Sequence, residues 1–224
     1  MGRLLYGLFG AGGAARAVLP MMQHGLIIDD QSCQTLEDDA PRDLCLIETK
    51  PRSEWVDGFS VFDEASFFGQ VSADRRFCIA IGSPIDRRRI AERVDFANRP
   101  TFSLLARNSI VETSHRLGRG AIVCANSYIS VNVKVGNSFF MNIGSTLEHD
   151  CIVGDFVTFS PGVVCSGNVH VGDDVFIGAG AVIINGSEGS PLVIGRGAVV
   201  GAGAVVTRSV GSGQTVVGNP ARVV

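Results

Sequence analysis

The chain has 224 residues, of which 46% are hydrophobic and 18% charged, with a formal net charge of −3. That much apolar content with so little net charge excludes disorder, and the mixed, slightly acidic charge leaves no nucleic-acid footprint. The 28 glycines follow no three-residue period, which excludes collagen; with the frequent Val and Ile they predict many short strands and turns. Lys50 and Lys134 are the only lysines among 19 basic residues, a bias that reads as genomic base composition. The six cysteines form no CxxC pair, so neither a zinc ribbon nor a thioredoxin-type motif is expected. A disulfide scaffold is not expected in a chain of this length and apolar content.

In chain order, residues 3–9 (RLLYGLF) read as a buried strand, followed by GAGGAA at 10–15 and a helical pattern to about Gln23. Gly25–Asp30 (GLIIDD) reads as a second strand ending in two acids. This is a βαβ start with a G-x-G-x-x-A turn at Gly10, Gly12 and Ala15. Such glycines let the backbone approach a phosphate, which the helix N-terminus attracts. Asp29 and Asp30, about twenty residues on, stand where a dinucleotide-type turn has its ribose-binding acid. FCIAIGSP (77–84) is a further strand and turn, and the helix after it carries Arg87 to Arg93. The unit is too short for a full dinucleotide fold, which needs two such halves, so a nucleotide-sugar suits it better. The plainer alternative is a small parallel sheet whose glycines only serve tight turns. Arg3 followed by LLYGLFGAGGAA faintly mimics a signal peptide, but its removal would delete the first strand and the glycine loop. No transmembrane span is visible, and a cytoplasmic protein is expected.

From Leu105 to Ile183, every sixth residue is apolar, fourteen positions in all. At 46% apolar content, chance gives such a run about once in fifty thousand, and fixed periods mark repeat architectures. A second column, four residues after the first, is small or apolar from Val133 to Ala181. Glycine often follows the first column, as at Gly118, Gly136, Gly154, Gly172 and Gly178. The physical reading is a β-solenoid in which three hexads close one triangular coil. The first column fills the axis, the second lets the coil turn tightly, and glycine supplies backbone freedom at the corners. After Ile183 the register resumes at Ile194, Val200 and Val206, so residues 184–193 carry five extra residues and bulge from one corner. Insertions of this kind often sit on a binding face.

Hexads of the form [LIV]-G-x-x-[SAV]-x resemble the left-handed β-helix acyltransferases, usually trimers with acyl-CoA in the groove between neighbouring solenoids. A short Rossmann-like unit ahead of such a helix is similar to the bacterial nucleotide-aminosugar acetyltransferases, a group that includes UDP-4-amino-sugar and perosamine N-acetyltransferases and sialic acid O-acetyltransferases. The segments that carry the likeness are GAGGAARAV, LIIDD, IAIGSPIDRRRI, NIGSTLEHDCIVGDF and VVGNPARVV. The implied fold is an α/β Rossmann-like nucleotide-sugar-binding domain at 1–103, followed by a left-handed parallel β-helix at 104–224.

The chemistry centres on LEHD. Leu147 is an inward position, so Glu148, His149 and Asp150 stand on the outward face or corner of their coil. Acetyl transfer from a thioester needs a base to take a proton from the attacking group. Histidine suits that task at neutral pH, and a neighbouring carboxylate fixes its tautomer. From the residues alone, a surface histidine on a corner fits equally well. The resemblance places the catalytic base at His149, its partner acid at Asp150 and a sugar contact at Asn142. The other substrate-side candidates are Gly10, Gly12, Gly13, Asp29, Asp30 and Gly82. The resemblance further implies acetyl-CoA on later coils of an adjacent subunit, at Thr158, Gly167, Gly178, Ala179, Gly203 and the GNPAR turn with Asn219, Pro220 and Arg222. These residues also read as ordinary corners.

Two departures stand out: Ala14 and Ala15 replace the His-Gly or Phe-Gly of many relatives' glycine loops, and Thr158 stands where some have a second active-site histidine. His24, His115 and His170 lack the H-x4-H spacing of a γ-type carbonic anhydrase, so no metal is expected. Cys151 and Cys165 fall on inward columns, where a thiol behaves as a small hydrophobe, so direct transfer without an acyl-enzyme is expected. The reading is an acetyl-CoA-dependent N-acetyltransferase for a nucleotide-linked 4-amino-4,6-dideoxysugar in glycan or O-antigen synthesis, acting as a homotrimer with sites between subunits. Its alternatives are a sialic acid O-acetyltransferase, which sets the same base to work on a hydroxyl, and a non-catalytic β-helix serving assembly or binding.

Overall fold

The computed structural model describes residues 4–30, 34–35, 43–69, 74–112 and 117–224; His115 and Cys33 lie outside them. The chain opens with β1 (Leu4–Phe9), α1 (Gly13–His24), β2 (Leu26–Asp29), β3 (Gln34–Thr35) and β4 (Asp43–Glu48). It continues through β5 (Trp55–Val56), β6 (Phe59–Asp63), α2 (Glu64–Gly69), β7 (Asp74–Ile79), α3 (Pro84–Arg93) and β8 (Phe102–Leu105). Helix α3 starts where Ser83 caps it, accepting the Asp86 N–H, with Pro84 in the first turn. One sheet has the order β5-β6-β4-β1-β7, with β6, β4, β1 and β7 parallel and β5 antiparallel at the edge.

This corrects one expectation. GLIIDD does form a strand, β2, but not the second strand of the βαβ unit. It turns away and pairs antiparallel with β8, Leu26 opposite Leu105. The parallel neighbour of β1 is β4. The burial patterns give the reason: β2 alternates half-buried and buried residues, whereas Cys45, Leu46 and Ile47 of β4 are continuously buried, as a strand covered on both faces requires.

From β8 the chain winds into a solenoid with three parallel faces. Face 1 holds β8 and the strands at 122–123, 140–141, 158–159, 176–177 and 199–200. Face 2 holds those at 110–111, 128–129, 146–147, 164–165, 182–183 and 205–206, and face 3 those at 134–135, 152–153, 169–171 and 192–194. Each coil advances 18 residues, Ile122 pairing with Phe140 and Phe140 with Thr158. Between Val171 and Ile194 the step is 23, which places the five extra residues between faces 2 and 3. Both apolar columns are buried along the axis, where Phe139 and Phe159 meet edge to face at 5.2 Å.

The corners assign glycine differently from the sequence reading. A left-handed residue recurs every six positions, from Asn126 through Asn132, Ser138, Gly144 and Asp150 to Gly180. Asn and Asp fill five of these ten positions and Gly three, because the short polar side chains of Asn and Asp tolerate this region. Gly118, Gly136, Gly154, Gly172 and Gly178 are not these residues. A Cβ on Gly154 would press on Asp173 Oδ1 and stand 2.7 Å from the Asp173 nitrogen, and one on Gly178 would stand 2.5 Å from the Ala202 nitrogen. Close stacking of coils, not corner freedom, demands glycine there. On the corner between faces 3 and 1, beside Gly136, Gly154 and Gly172, the Asn137, Asp155 and Asp173 side chains accept the N–H groups of Arg119, Asn137 and Asp155 at 3.1, 2.7 and 2.9 Å.

The N-terminal unit packs on the outer side of face 1, where Ile122, Cys124 and Phe140 share a core with Tyr6, Val18 and Met22. The junction carries a buried arginine. Arg87 of α3 donates to Ser138 O (3.0 Å), Val157 O (3.0 Å), Ile81 O (2.6 Å) and Thr158 Oγ1 (2.9 Å). Burial pulls its pKa down to about 9, so it remains charged at neutral pH.

Candidate active site

His149 and Asp150 sit on the corner between faces 2 and 3, immediately after the strand at 146–147. Asp150 takes the left-handed conformation (φ 60°) that ends each hexad. This conformation brings its carboxylate back to the preceding ring, with His149 Nδ1 and Asp150 Oδ2 2.8 Å apart. The hydrogen bond raises the histidine above its ordinary pKa and lowers the aspartate below its own. Asn132, one coil earlier on the same corner, donates to Asp150 Oδ1 at 3.3 Å. With Nδ1–H directed to the carboxylate, Nε2 carries the free lone pair. Both side chains are about half exposed, 52% and 47%.

Gly167, one coil later, forms the seat of the imidazole. A Cβ there would stand 2.5 Å from Cε1 and 2.6 Å from Nε2 of His149. The glycine expected at acetyl-CoA therefore has a more immediate role, which is to leave room for the ring.

A cavity of about 480 Å³ opens at the C-terminal ends of β1 and β4. Gly10, Ala11 and Gly12 line it, with Glu48, Lys50 and Arg52 opposite. Gly10 adopts φ 108°, as the tight turn requires. Helix α1 has no side-chain cap and no acid in its first turn, so its N–H groups, starting at Gly13, are open to an anion.

Asp29 and Asp30 are not part of this cavity, and their expected role is corrected. Asp30 accepts from Thr101 Oγ1, Ser103 Oγ and the Gly120 N–H, each at 2.7 Å, which spends its carboxylate inside the fold. Asp29 is buried against Arg76 Nε at 2.7 Å. Glu48, which ends the second parallel strand, is the acid that lines the cavity. The run DLCLIE, apolar and then acidic, is the sequence signal that would have found it. Gly82 lies beside the cavity-lining Ile81 and accepts from Thr158 Oγ1 at 2.8 Å.

Thr158 is likewise corrected. It is 3% exposed and bonded to Arg87 and Gly82, because its outward position on face 1 is covered by the N-terminal unit. The remaining acetyl-CoA candidates fall on the corner between faces 1 and 2. Gly178 is buried under the next coil, Ala179 is exposed, and Ala179 O accepts the Gly203 N–H at 2.8 Å. The GNPAR turn reverses the chain through a cis Asn219–Pro220 bond, leaving Asn219, Pro220 and Arg222 exposed. Asn142 starts the same corner two coils earlier, its Oδ1 turned to the Ile143 N–H at 3.0 Å. Within one chain, then, His149 and Gly167 share one corner while Asn142, Ala179 and Gly203 share another. Among the described residues, no group of three or more His, Cys, Asp or Glu could hold a metal ion, and no helix is long and apolar enough to cross a membrane.

Comparison with known proteins decides the family. Residues 168–208 match the hexapeptide repeat of succinyl-transferase. The chain is 37% identical over 218 residues to the GDP-perosamine N-acetyltransferase of Escherichia coli O157:H7, covering 97% of this chain and 95% of the relative. It belongs to the perosamine N-acetyltransferase family. The structure of WeeI from Acinetobacter baumannii AYE superposes with a TM-score of 0.84 at 34% identity, covering 99% of this chain and all of that one. The acetyltransferase domain of PglB from Neisseria gonorrhoeae FA1090, in complex with acetyl coenzyme A, gives 0.80 at 25% identity over the whole of both chains. As a member of the perosamine N-acetyltransferase family, the chain is an acyltransferase that uses acetyl-CoA and acts on a nucleotide-linked amino sugar.

Proposed function

We propose that the protein transfers an acetyl group from acetyl-CoA to the 4-amino group of a nucleotide-linked 4-amino-4,6-dideoxysugar, in the cytoplasm, for glycan or O-antigen synthesis. GDP-perosamine, named for the curated relative, is the leading candidate. The observation that carries the mechanism is the His149–Asp150 pair on an open corner, with Gly167 making room for the ring. Asp150 holds Nδ1–H, and Nε2 removes the proton that the amine loses as its nitrogen attacks the thioester carbonyl. Proton and thiolate then leave as free CoA thiol. Lys50, Arg52 and the α1 N-terminus suit the diphosphate, and Glu48 suits a ribose hydroxyl.

The acting form in this reading is a homotrimer. Its support is the corner assignment: the small-residue ridge with Ala179 and Gly203 lies one face away from His149, so a neighbouring copy is needed to bring ridge and base together.

The test is a panel of GDP-, UDP- and dTDP-linked 4-amino sugars with acetyl-CoA, following release of free thiol. Release with the GDP-linked sugar is expected, and loss of it on His149→Ala. Release with sialic acid alone would replace the reading with O-acetylation, and a fully active His149→Ala would remove the base.

A further inference from the structure

The five extra residues at 184–193 have no part in the reaction as described, yet they fall on the corner that carries His149. The coil between them is tied to both ends of the loop. Gly186 N donates to Gly167 O at 3.0 Å, and Leu192 N donates to Asn168 O at 3.1 Å. Gly167 is the seat of the His149 ring, and Asn168 N donates to His149 O at 3.0 Å. The loop tip is closed by reciprocal Ser187–Ser190 backbone bonds at 3.1 and 3.0 Å, with Gly189 left-handed at φ 75°. The insertion is thus a pinned hairpin, not a slack loop.

Its tip walls a cavity of about 580 Å³, lined also by Asp150, Asn168 and His170, with Ser187 and Glu188 from the hairpin itself. That volume suits a small polar ligand. Two carboxylates in the lining disfavour the phosphates of a nucleotide or of CoA by like-charge repulsion. They favour a ring whose hydroxyl and amine groups donate hydrogen bonds to carboxylate. The Gly10–Gly12 cavity has a different balance, with two cations, Lys50 and Arg52, against one carboxylate, Glu48, and an open helix N-terminus. Asp150 belongs both to the base pair and to this lining, so a ligand here lies beside the residue that orients His149.

We propose that the hairpin at 186–191 is the acceptor-specificity element, and that Glu188 accepts hydrogen bonds from the hydroxyl or amine groups of the aminosugar ring. This rests on the N-acetyltransferase reading above, which wild-type turnover of the amino sugar tests first and separately. Glu188 is exposed, so Glu188→Ala is expected to fold with an unchanged melting temperature. With turnover of the wild type in hand, kcat/KM for the amino sugar is expected to fall about tenfold or more in Glu188→Ala, as loss of a charged hydrogen bond implies. KM for acetyl-CoA stays unchanged, and Glu188→Gln, which keeps an acceptor oxygen, recovers part of the loss. An unchanged kcat/KM for the amino sugar in Glu188→Ala, or an equal loss toward both substrates, would overturn the proposal.

Discussion

Replacing Gly167 by Ala tests the active corner with a single methyl group. The backbone at 167 has no left-handed requirement, so alanine itself is tolerated. The added Cβ would stand 2.5, 2.6 and 2.9 Å from Cε1, Nε2 and Nδ1 of His149, where ordinary contact begins near 3.4 Å. The backbone yields little, because Gly167 O holds Gly186 N and His149 O holds Asn168 N, both at 3.0 Å. The ring must therefore move by about 1 Å, a displacement that costs on the order of a hundredfold in rate for a positioned catalytic group. Its bond to Asp150 weakens with it. The imidazole is 52% exposed and swings into water at little cost, so the melting temperature should stay within about 2 °C. Thiol-release kinetics should show kcat down by about two orders of magnitude, approaching that of His149→Ala, with the double variant no worse than His149→Ala alone. A Gly167→Ala protein with wild-type kcat, or a double variant whose losses multiply, would refute the reasoning.

The pH profile follows from the same pair. As a base His149 must be neutral, so kcat/KM should fall as pH drops through its pKa, which the bond to Asp150 raises above the ordinary value. Asp150→Asn removes that support, and the acidic limb should shift to lower pH while the plateau falls; an unmoved limb would uncouple the two residues. Arg87→Met strips charged donors from Ser138 O, Val157 O and Ile81 O and should cost about 3–5 kcal/mol, seen as a melting temperature lower by roughly 6–20 °C. Glu48→Ala should raise KM for the nucleotide-sugar about tenfold and leave KM for acetyl-CoA unchanged, as loss of a ribose contact implies.

How much of this was legible in the sequence depends on the distance over which each feature is encoded. The six-residue period is local and repeated, so it determined by itself the axial columns, the 18-residue coil and the five-residue slip. An apolar residue at the wrong step would leave the axis for solvent. It also placed His149 outward, because Leu147 is inward. The glycine turn at Gly10 and Gly12 was legible for the same reason.

Only the tertiary structure decided what depends on pairing across the chain. Strand β2 followed β8 instead of β1, which spent Asp30 on Thr101, Ser103 and Gly120 and left the acid at the glycine turn to Glu48. Arg87 lies in a run of three arginines, yet it is buried because α3 docks on the outer side of face 1. That docking also buried Thr158 against Gly82. The coil stacks residues far apart in sequence on one corner, and so His149, Gly167 and the hairpin at Glu188 meet although no local pattern joins them.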